Sequence, residues 1–243
     1  MRHAFVADIH ANLEAFQAVL ADINLQKIDR IYCLGDIVGY GADPSRCLAL
    51  VRELSRHTVA GNHDYAAAGK IPCDLFNEYA RAAIFWTRDH LSEEERTWLG
   101  ELPLVVHEEA FSLTHSSLDR PEDFSYIDTL AEASACFAVM QKPLCLIGHS
   151  HVPVIFFELA PNSEPTYELN VERPIPVRGK MIVNVGSVGQ PRDEDPRAAY
   201  CIYDTDSQTM TIRRVTYDVA AAANKVRAAG LPELLAFRLG IGR

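Results

Sequence analysis

The sequence predicts an α/β protein in which helices pack on sheet. Two patterns predict it. Over the first third, apolar runs alternate with stretches of helical periodicity, the signature of βαβαβ units. The second half is mostly short apolar runs between turn residues, with one alanine-rich helical stretch near 219–229.

The elements follow in order. "AFVAD" is a short apolar run, and Asn12 then caps a helix whose Leu13, Phe16, Leu20 and Ile23 recur at helical spacing. "RIYCLGD" is a second run. Asp43 and Pro44 suit the start of the next helix, with Leu48, Val51 and Leu54 behind them. "TVAGNHD" is a third run. Residues 74–102 read as largely helical, and Ser92 with Glu95 forms a capping box there. Strand signals return at "LPLVV" and "AFSLTH", a helix covers about 129–140, and "LCLIGHSH", "VIFFEL", "MIVNVGS", "AAYCIYD" and "TMTIRRVTY" read as strands. The stretch "APNSEPTYELNVERPIPVRGK" is proline-rich and polar, an exposed hairpin or an edge for self-association. No repeat or linker divides the chain, so one domain over 1–243 is expected.

Bulk properties exclude several classes. The chain has 243 residues, 48% hydrophobic and 23% charged, the range of globular proteins. No apolar run approaches the ~18 residues that span a bilayer, and "MRHAFVADIH" does not have the form of a signal peptide. Six cysteines are scattered without a C-x-x-C pair, the usage of a reduced cytoplasmic protein and not of a disulfide or zinc-thiolate framework. A net charge of −10 argues against a long nucleic acid as partner, while a small phosphorylated substrate stays open if the site carries its own positive charge.

Several apolar runs end in the same kinds of polar residue. "AFVADIH" ends in Asp8 and His10, "IYCLGD" in Asp36, and "TVAGNHD" in Asn62, His63 and Asp64. "FSLTHSS" carries His115, and "LCLIGHSH" carries His149 and His151. Each alone has a bland reading: Asp36 as a turn residue, His115 as a satisfied histidine, GNHD as turn chemistry. Ligands in α/β sheets bind beyond the carboxyl ends of strands, so five such endings point to one shared site. An extended segment would place His149 and His151, two residues apart, on one side.

The set "DIH", "GD", "GNHD", "THS" and "GHSH" resembles the signature of the calcineurin-like metallophosphoesterases, and "NVGSVGQPRD" resembles the segment that follows it in small prokaryotic, phosphodiesterase-like members. The resemblance implies a four-layer α/β/β/α sandwich with two mixed sheets. It implies two divalent metal ions, Mn²⁺ foremost, with Fe²⁺, Zn²⁺ or Ni²⁺ as further candidates. Asp8, His10, Asp36 and His151 would hold one ion, and Asp36, Asn62, His115 and His149 the other. It implies phosphoester hydrolysis by in-line attack of a metal-bridging hydroxide, with His63 protonating the leaving oxygen or stabilising its developing charge, and Asp64 orienting His63 or raising its pKa. Arg192 and Tyr40 are candidate substrate contacts, whereas Asn12 reads as a helix cap and Ser116 and Ser187 as turn residues.

One departure bears on the substrate. Protein phosphatases and symmetrical diadenosine tetraphosphatases of the superfamily carry an arginine in GD-x-V-D-R-G, and "GDIVGYGADP" has none there. A phosphodiester or nucleotide-type ester is therefore the expected substrate. The alternatives are a phosphomonoester, a diadenosine polyphosphate, or a non-catalytic scaffold on the same fold.

Overall fold

The computed structural model describes residues 1–161, 163–169 and 172–243. Positions 162, 170 and 171 of the proline-rich stretch lie outside the described residues.

Twelve strands form two six-stranded mixed sheets among the described residues. The first contains β1 (Arg2–Val6), β2 (Arg30–Cys33), β3 (Ser55–Thr58), β9 (Ile175–Pro176), β11 (Ala198–Asp204) and β12 (Thr209–Val215), in the order β3-β2-β1-β11-β12-β9. The second contains β4 (Val105–His107), β5 (Phe111–Thr114), β6 (Leu144–Ile147), β7 (Val154–Glu158), β8 (Thr166–Leu169) and β10 (Lys180–Asn184), in the order β4-β5-β6-β10-β7-β8. Each sheet has a parallel trio, β1-β2-β3 and β5-β6-β10, and antiparallel strands beside it. The loops after these trios carry the polar endings singled out in the sequence.

Side-chain alternation decides the layers. Ala4 and Val6 point to a core made with α1 (Leu13–Leu25) and α2 (Pro44–Leu54), where Phe16, Val19, Leu48 and Val51 are buried. Phe5 and Ala7, on the opposite face, join Phe111, Leu113, Leu146 and Val183 of the second sheet. Phe5 stacks on Tyr32 at 5.2 Å and meets Phe111 edge-on at 5.2 Å, tying the two sheets together. The outer face of the second sheet, with Cys145, Ile147, Phe156 and Ile182, is covered by α6 (Leu130–Val139) through Cys136 and Phe137. The order is helices, sheet, sheet, helix, the expected sandwich. Full burial of each such Phe or Leu contributes about 1.5–3 kcal/mol.

Most elements match the sequence reading, and three differ. The "TVAGNHD" run is not strand to its end: Asn62 opens α3 (Asn62–Ala68), with Gly61 as N-cap. The helical stretch 74–102 is two helices, α4 (Glu78–His90) and α5 (Glu93–Glu101), divided at the Ser92 capping box. After α7 (Val219–Ala228) comes α8 (Glu233–Leu239), which sequence reasoning missed. It is seven residues long, too short for periodicity to register, and its Leu235 and Leu239 bury against Val226 and Tyr40. The proline-rich stretch supplies an edge strand to each sheet, β8 to the second and β9 to the first. The six cysteines are free and buried.

Candidate metal centre

The loops that bear the polar residues are not extended. Asp8, His10, Asp36, His149 and His151 have φ of 52°, 48°, 51°, 69° and 63°. Left-handed backbone costs a non-glycine residue about 1–2 kcal/mol, and it is concentrated here. His149 and His151 therefore reach the site by tight turns and not by the alternation of an extended segment. The glycines of the motifs are close-approach positions. A Cβ on Gly61 would lie 2.0 Å from Asp36 Oδ1, and one on Gly148 2.5 Å from Asp8 Oδ2.

Six residues, Asp8, His10, Asp36, His115, His149 and His151, converge from both sheets. The Nε2 atoms of His10 and His151 are 3.1 Å apart, and Asp8 Oδ1 is 3.3 Å from His151 Nε2. Asp36 Oδ2 lies 3.6 Å from His10 Nε2 and 3.4 Å from His115 Nε2. His115 Nε2 is 3.1 Å from His149 Nδ1. Two donor sets result, Asp8–His10–Asp36–His151 and Asp36–His115–His149, with the donor atoms of each set within 4.8 Å of one another. Asp36 belongs to both.

Backbone carbonyls fix the ring orientations. His10 Nδ1 donates to Val38 O at 3.1 Å, His115 Nδ1 to Leu34 O at 2.7 Å, and His151 Nδ1 to Gln190 O at 2.6 Å. A carbonyl only accepts, so Nδ1 holds the proton, and a neutral ring then aims its Nε2 lone pair inward. Asp8 Oδ1 and Asn62 Oδ1 are buried without a hydrogen-bond partner. Inward lone pairs and orphaned oxygens are what a divalent cation with mixed oxygen and nitrogen ligands requires. The donor set fits the implied metal.

Charge within the cluster is strained without a cation. Burial pushes the His10 and His149 imidazoles well down. Burial opposes ionisation of Asp36, yet the imidazoles, His115 first, hold its carboxyl well below the usual range. Burial also opposes the charge on His115, but the Asp36 and Asp8 carboxylates overcome it and raise the ring to about 9. The carboxylates draw in positive charge wherever they can find it.

His63 sits against the centre and belongs to neither donor set. Its backbone N–H donates to Asp36 Oδ1 at 2.8 Å, and its ring meets His10 at 4.8 Å and Tyr40 at 4.5 Å. Its Nδ1 has no partner, and burial pushes the imidazole down to about 4. Asp64 does not orient this ring. Its oxygens accept from the N–H groups of Ile37, Val38 and Gly61 at 2.9, 3.3 and 3.0 Å. It ties the GD turn to the GNHD turn, and burial followed by repulsion from Asp36 raises its carboxyl to about 7. Arg192 donates to Gln190 Oε1 at 3.1 Å and Tyr40 Oη at 3.4 Å. Tyr40 is buried between His10, His63 and α8. Asn12 is a helix cap, accepting from Ala15 N at 3.1 Å, and also donates to Gly189 O. Ser187 does more than turn the chain: its hydroxyl donates to Asp8 O at 2.8 Å.

A cleft of about 500 Å³ opens beside the centre, with Asn62, His63 and His149 on its floor and Phe76, Phe124 and Tyr126 in its walls. Sequence reasoning missed these three aromatics. They lie in irregular segments, Phe76 just before α4 and Phe124 and Tyr126 between β5 and α6, where no periodicity marks them.

The sequence profile of the calcineurin-like phosphoesterase superfamily domain matches residues 1–208. The chain belongs to the calcineurin-like phosphoesterase superfamily. This superfamily member is similar along its whole length to an uncharacterized protein of Methanocaldococcus jannaschii, 40% identical over 99% of this chain and 98% of that one. The solved metallophosphoesterase of Sphaerobacter thermophilus superimposes with a TM-score of 0.89 at 40% identity, covering 100% of this chain and 99% of that one. A symmetrical bis(5'-nucleosyl)-tetraphosphatase of Actinobacillus succinogenes is 30% identical over 54% of this chain and 48% of that protein. The match spans about half of that relative, and the substrate in its name is a statement about it alone. Among the described residues, no helix of this superfamily member is long and apolar enough to cross a membrane.

Proposed function

We propose that this chain, as one domain over 1–243, is a dinuclear-metal hydrolase of phosphodiesters or nucleotide-type phosphoesters. The observation that carries the reading is the His10–His151 pair, whose Nε2 atoms meet at 3.1 Å with both Nδ1 protons engaged elsewhere. In this reading Asp8, His10, Asp36 and His151 hold one ion, and Asp36, Asn62, His115 and His149 the other. When bound, the divalent ions supply Lewis acidity and acidify water near neutral pH.

The chain's own residues do the rest. The metal pocket orients the phosphoryl group, and the cleft beside His63 receives the departing alcohol. As the water oxygen bonds to phosphorus and gives up a proton to solvent, the bond to the alcohol oxygen breaks opposite it; the neutral His63 ring donates a hydrogen bond to the charge developing on that oxygen, which takes up a proton from solvent. Asp64 acts as a positioning residue through the backbone of both turns. Arg192 and Tyr40 stand beside His10 for contact with the phosphoryl oxygens. Mn²⁺ is the first candidate ion, then Fe²⁺, Zn²⁺ or Ni²⁺.

The test is hydrolysis of bis-p-nitrophenyl phosphate beside p-nitrophenyl phosphate by metal-stripped protein with added Mn²⁺. Mn²⁺-dependent diester cleavage supports the reading. Preference for the monoester redirects it to phosphatase substrates. Metal binding without either activity favours the scaffold alternative.

A further inference from the structure

The cleft differs in chemistry from the metal pocket it adjoins. Three of its aromatic side chains, Tyr126, Phe76 and Phe124, each touch a different imidazole of the site. Tyr126 stacks on His149 at 4.1 Å with planes 13° apart. Phe76 meets His63 edge-on at 5.0 Å, and Phe124 meets His115 edge-on at 6.1 Å. Tyr126 is 44% exposed and Leu75, at the cleft's lip, 93% exposed, so apolar surface is offered to whatever enters.

Charge points the same way. Among the described residues that line the cleft, Glu122 and Asp123 are the charged ones, and no lysine or arginine is present. Asp123 is paired with Arg120 at 3.1 Å. Arg192 lies outside the lining, on Gln190 and against the Tyr40 ring. A second phosphate entering here would find no cation and would meet carboxylates. A volume of about 500 Å³ falls within the roughly 300–1,000 Å³ of sites that enclose a small organic molecule.

We propose that the cleft is the subsite for the departing alcohol, and that it takes an uncharged planar ring system of nucleoside size, stacked through Tyr126 and Phe76. The assignment rests on the hydrolase reading and narrows it. The ring-bearing side of the ester enters the cleft, and anionic extensions of the substrate lie on the Arg192 side. Tyr126 and Phe76 are then specificity-determining residues that do not enter the reaction.

The test is calorimetric titration of adenosine, with ribose as control, into the Mn²⁺-loaded full chain. Adenosine is expected to bind and ribose not. Tyr126→Ala and Phe76→Ala should each weaken adenosine roughly tenfold or more, as loss of one stacking partner does. Tyr126→Phe should hold within about twofold, because the ring and not the hydroxyl stacks. Metal content and thermal midpoint, read on the same samples, show that the pocket is intact. No adenosine binding by a chain that cleaves bis-p-nitrophenyl phosphate overturns the subsite and leaves the hydrolase standing. So does binding that neither alanine variant weakens. Adenosine binding that both variants weaken, in a chain that cleaves no ester, upholds the ring site and overturns the hydrolase reading instead.

Discussion

His10 and His151 present their Nε2 atoms to each other at 3.1 Å while each donates its Nδ1 proton to a backbone carbonyl, of Val38 and of Gln190. Neutral rings in this tautomer oppose lone pair to lone pair, which is repulsive in a buried site. A cation between them turns the repulsion into two bonds.

Metal removal should therefore destabilise the protein. A ligand held at a hundredfold excess over its Kd adds about 2.7 kcal/mol to the folded state, so chelation should lower the thermal midpoint measurably. His10→Ala should reduce bound metal from about two ions per chain toward one. Elemental analysis of the purified variant checks this, and undiminished metal would remove His10 from the ligand set.

His63→Ala separates catalysis from binding. Its backbone N–H, which holds Asp36, survives the substitution. Turnover is expected to fall about 10²–10⁴-fold with metal content unchanged. Metal loss in this variant would mean that the ring is a ligand and not a hydrogen-bond donor.

Asp64→Ala acts through stability. It leaves the N–H groups of Ile37, Val38 and Gly61 buried without their acceptor. At about 1–3 kcal/mol for each stranded group, a loss of about 3 kcal/mol or more is expected by denaturant titration. A stable variant with only an altered pH–rate profile would restore the role of orienting His63.

Far from the centre, Asp22 on α1 accepts from Arg213 Nε and Nη2 at 2.7 and 2.9 Å and from Tyr200 Oη at 2.5 Å. The Arg213 hydrogen bonds chiefly, and then that of Tyr200, hold its carboxyl below the usual range. A depressed folded value means that its contribution is fully present above the unfolded value near 3.9 and is lost as pH falls through the folded one. Asp22→Asn should cost about 1–2 kcal/mol at neutral pH, and that gap from wild type should close as pH falls below the ordinary carboxylate range. Parallel stability curves for the two proteins across that window would count against it.

The strands were legible because alternating and continuous apolar runs have few other uses. Phe5 and Val6 face different layers by the pleat alone. The capping residues Asn12 and Ser92 also read correctly, since their hydrogen bonds are local. Helix α8 was not legible, because its stability comes from α7 and Tyr40 and not from its own seven residues. The end of the "TVAGNHD" run differs for a related reason: the strand stops at Thr58, and Gly61 caps α3 where its α-carbon must pass the Asp36 carboxylate, a partner 25 residues away.

By itself the sequence determined the α/β class, the chain positions of the polar endings and, through its motifs, the family and the residues offered for metal. These depend on residue type and short spacing, which the chain carries locally. Only the tertiary structure decided that Asp8, Asp36, His115 and His151 share one buried pocket, that left-handed turns aim the two histidines of "GHSH", and that Asp64 serves backbone and not His63. It also decided that Phe76 and Tyr126 face one cleft. Those relationships join residues many positions apart, and they exist only once the packing of two sheets has brought the ends of their parallel strands together.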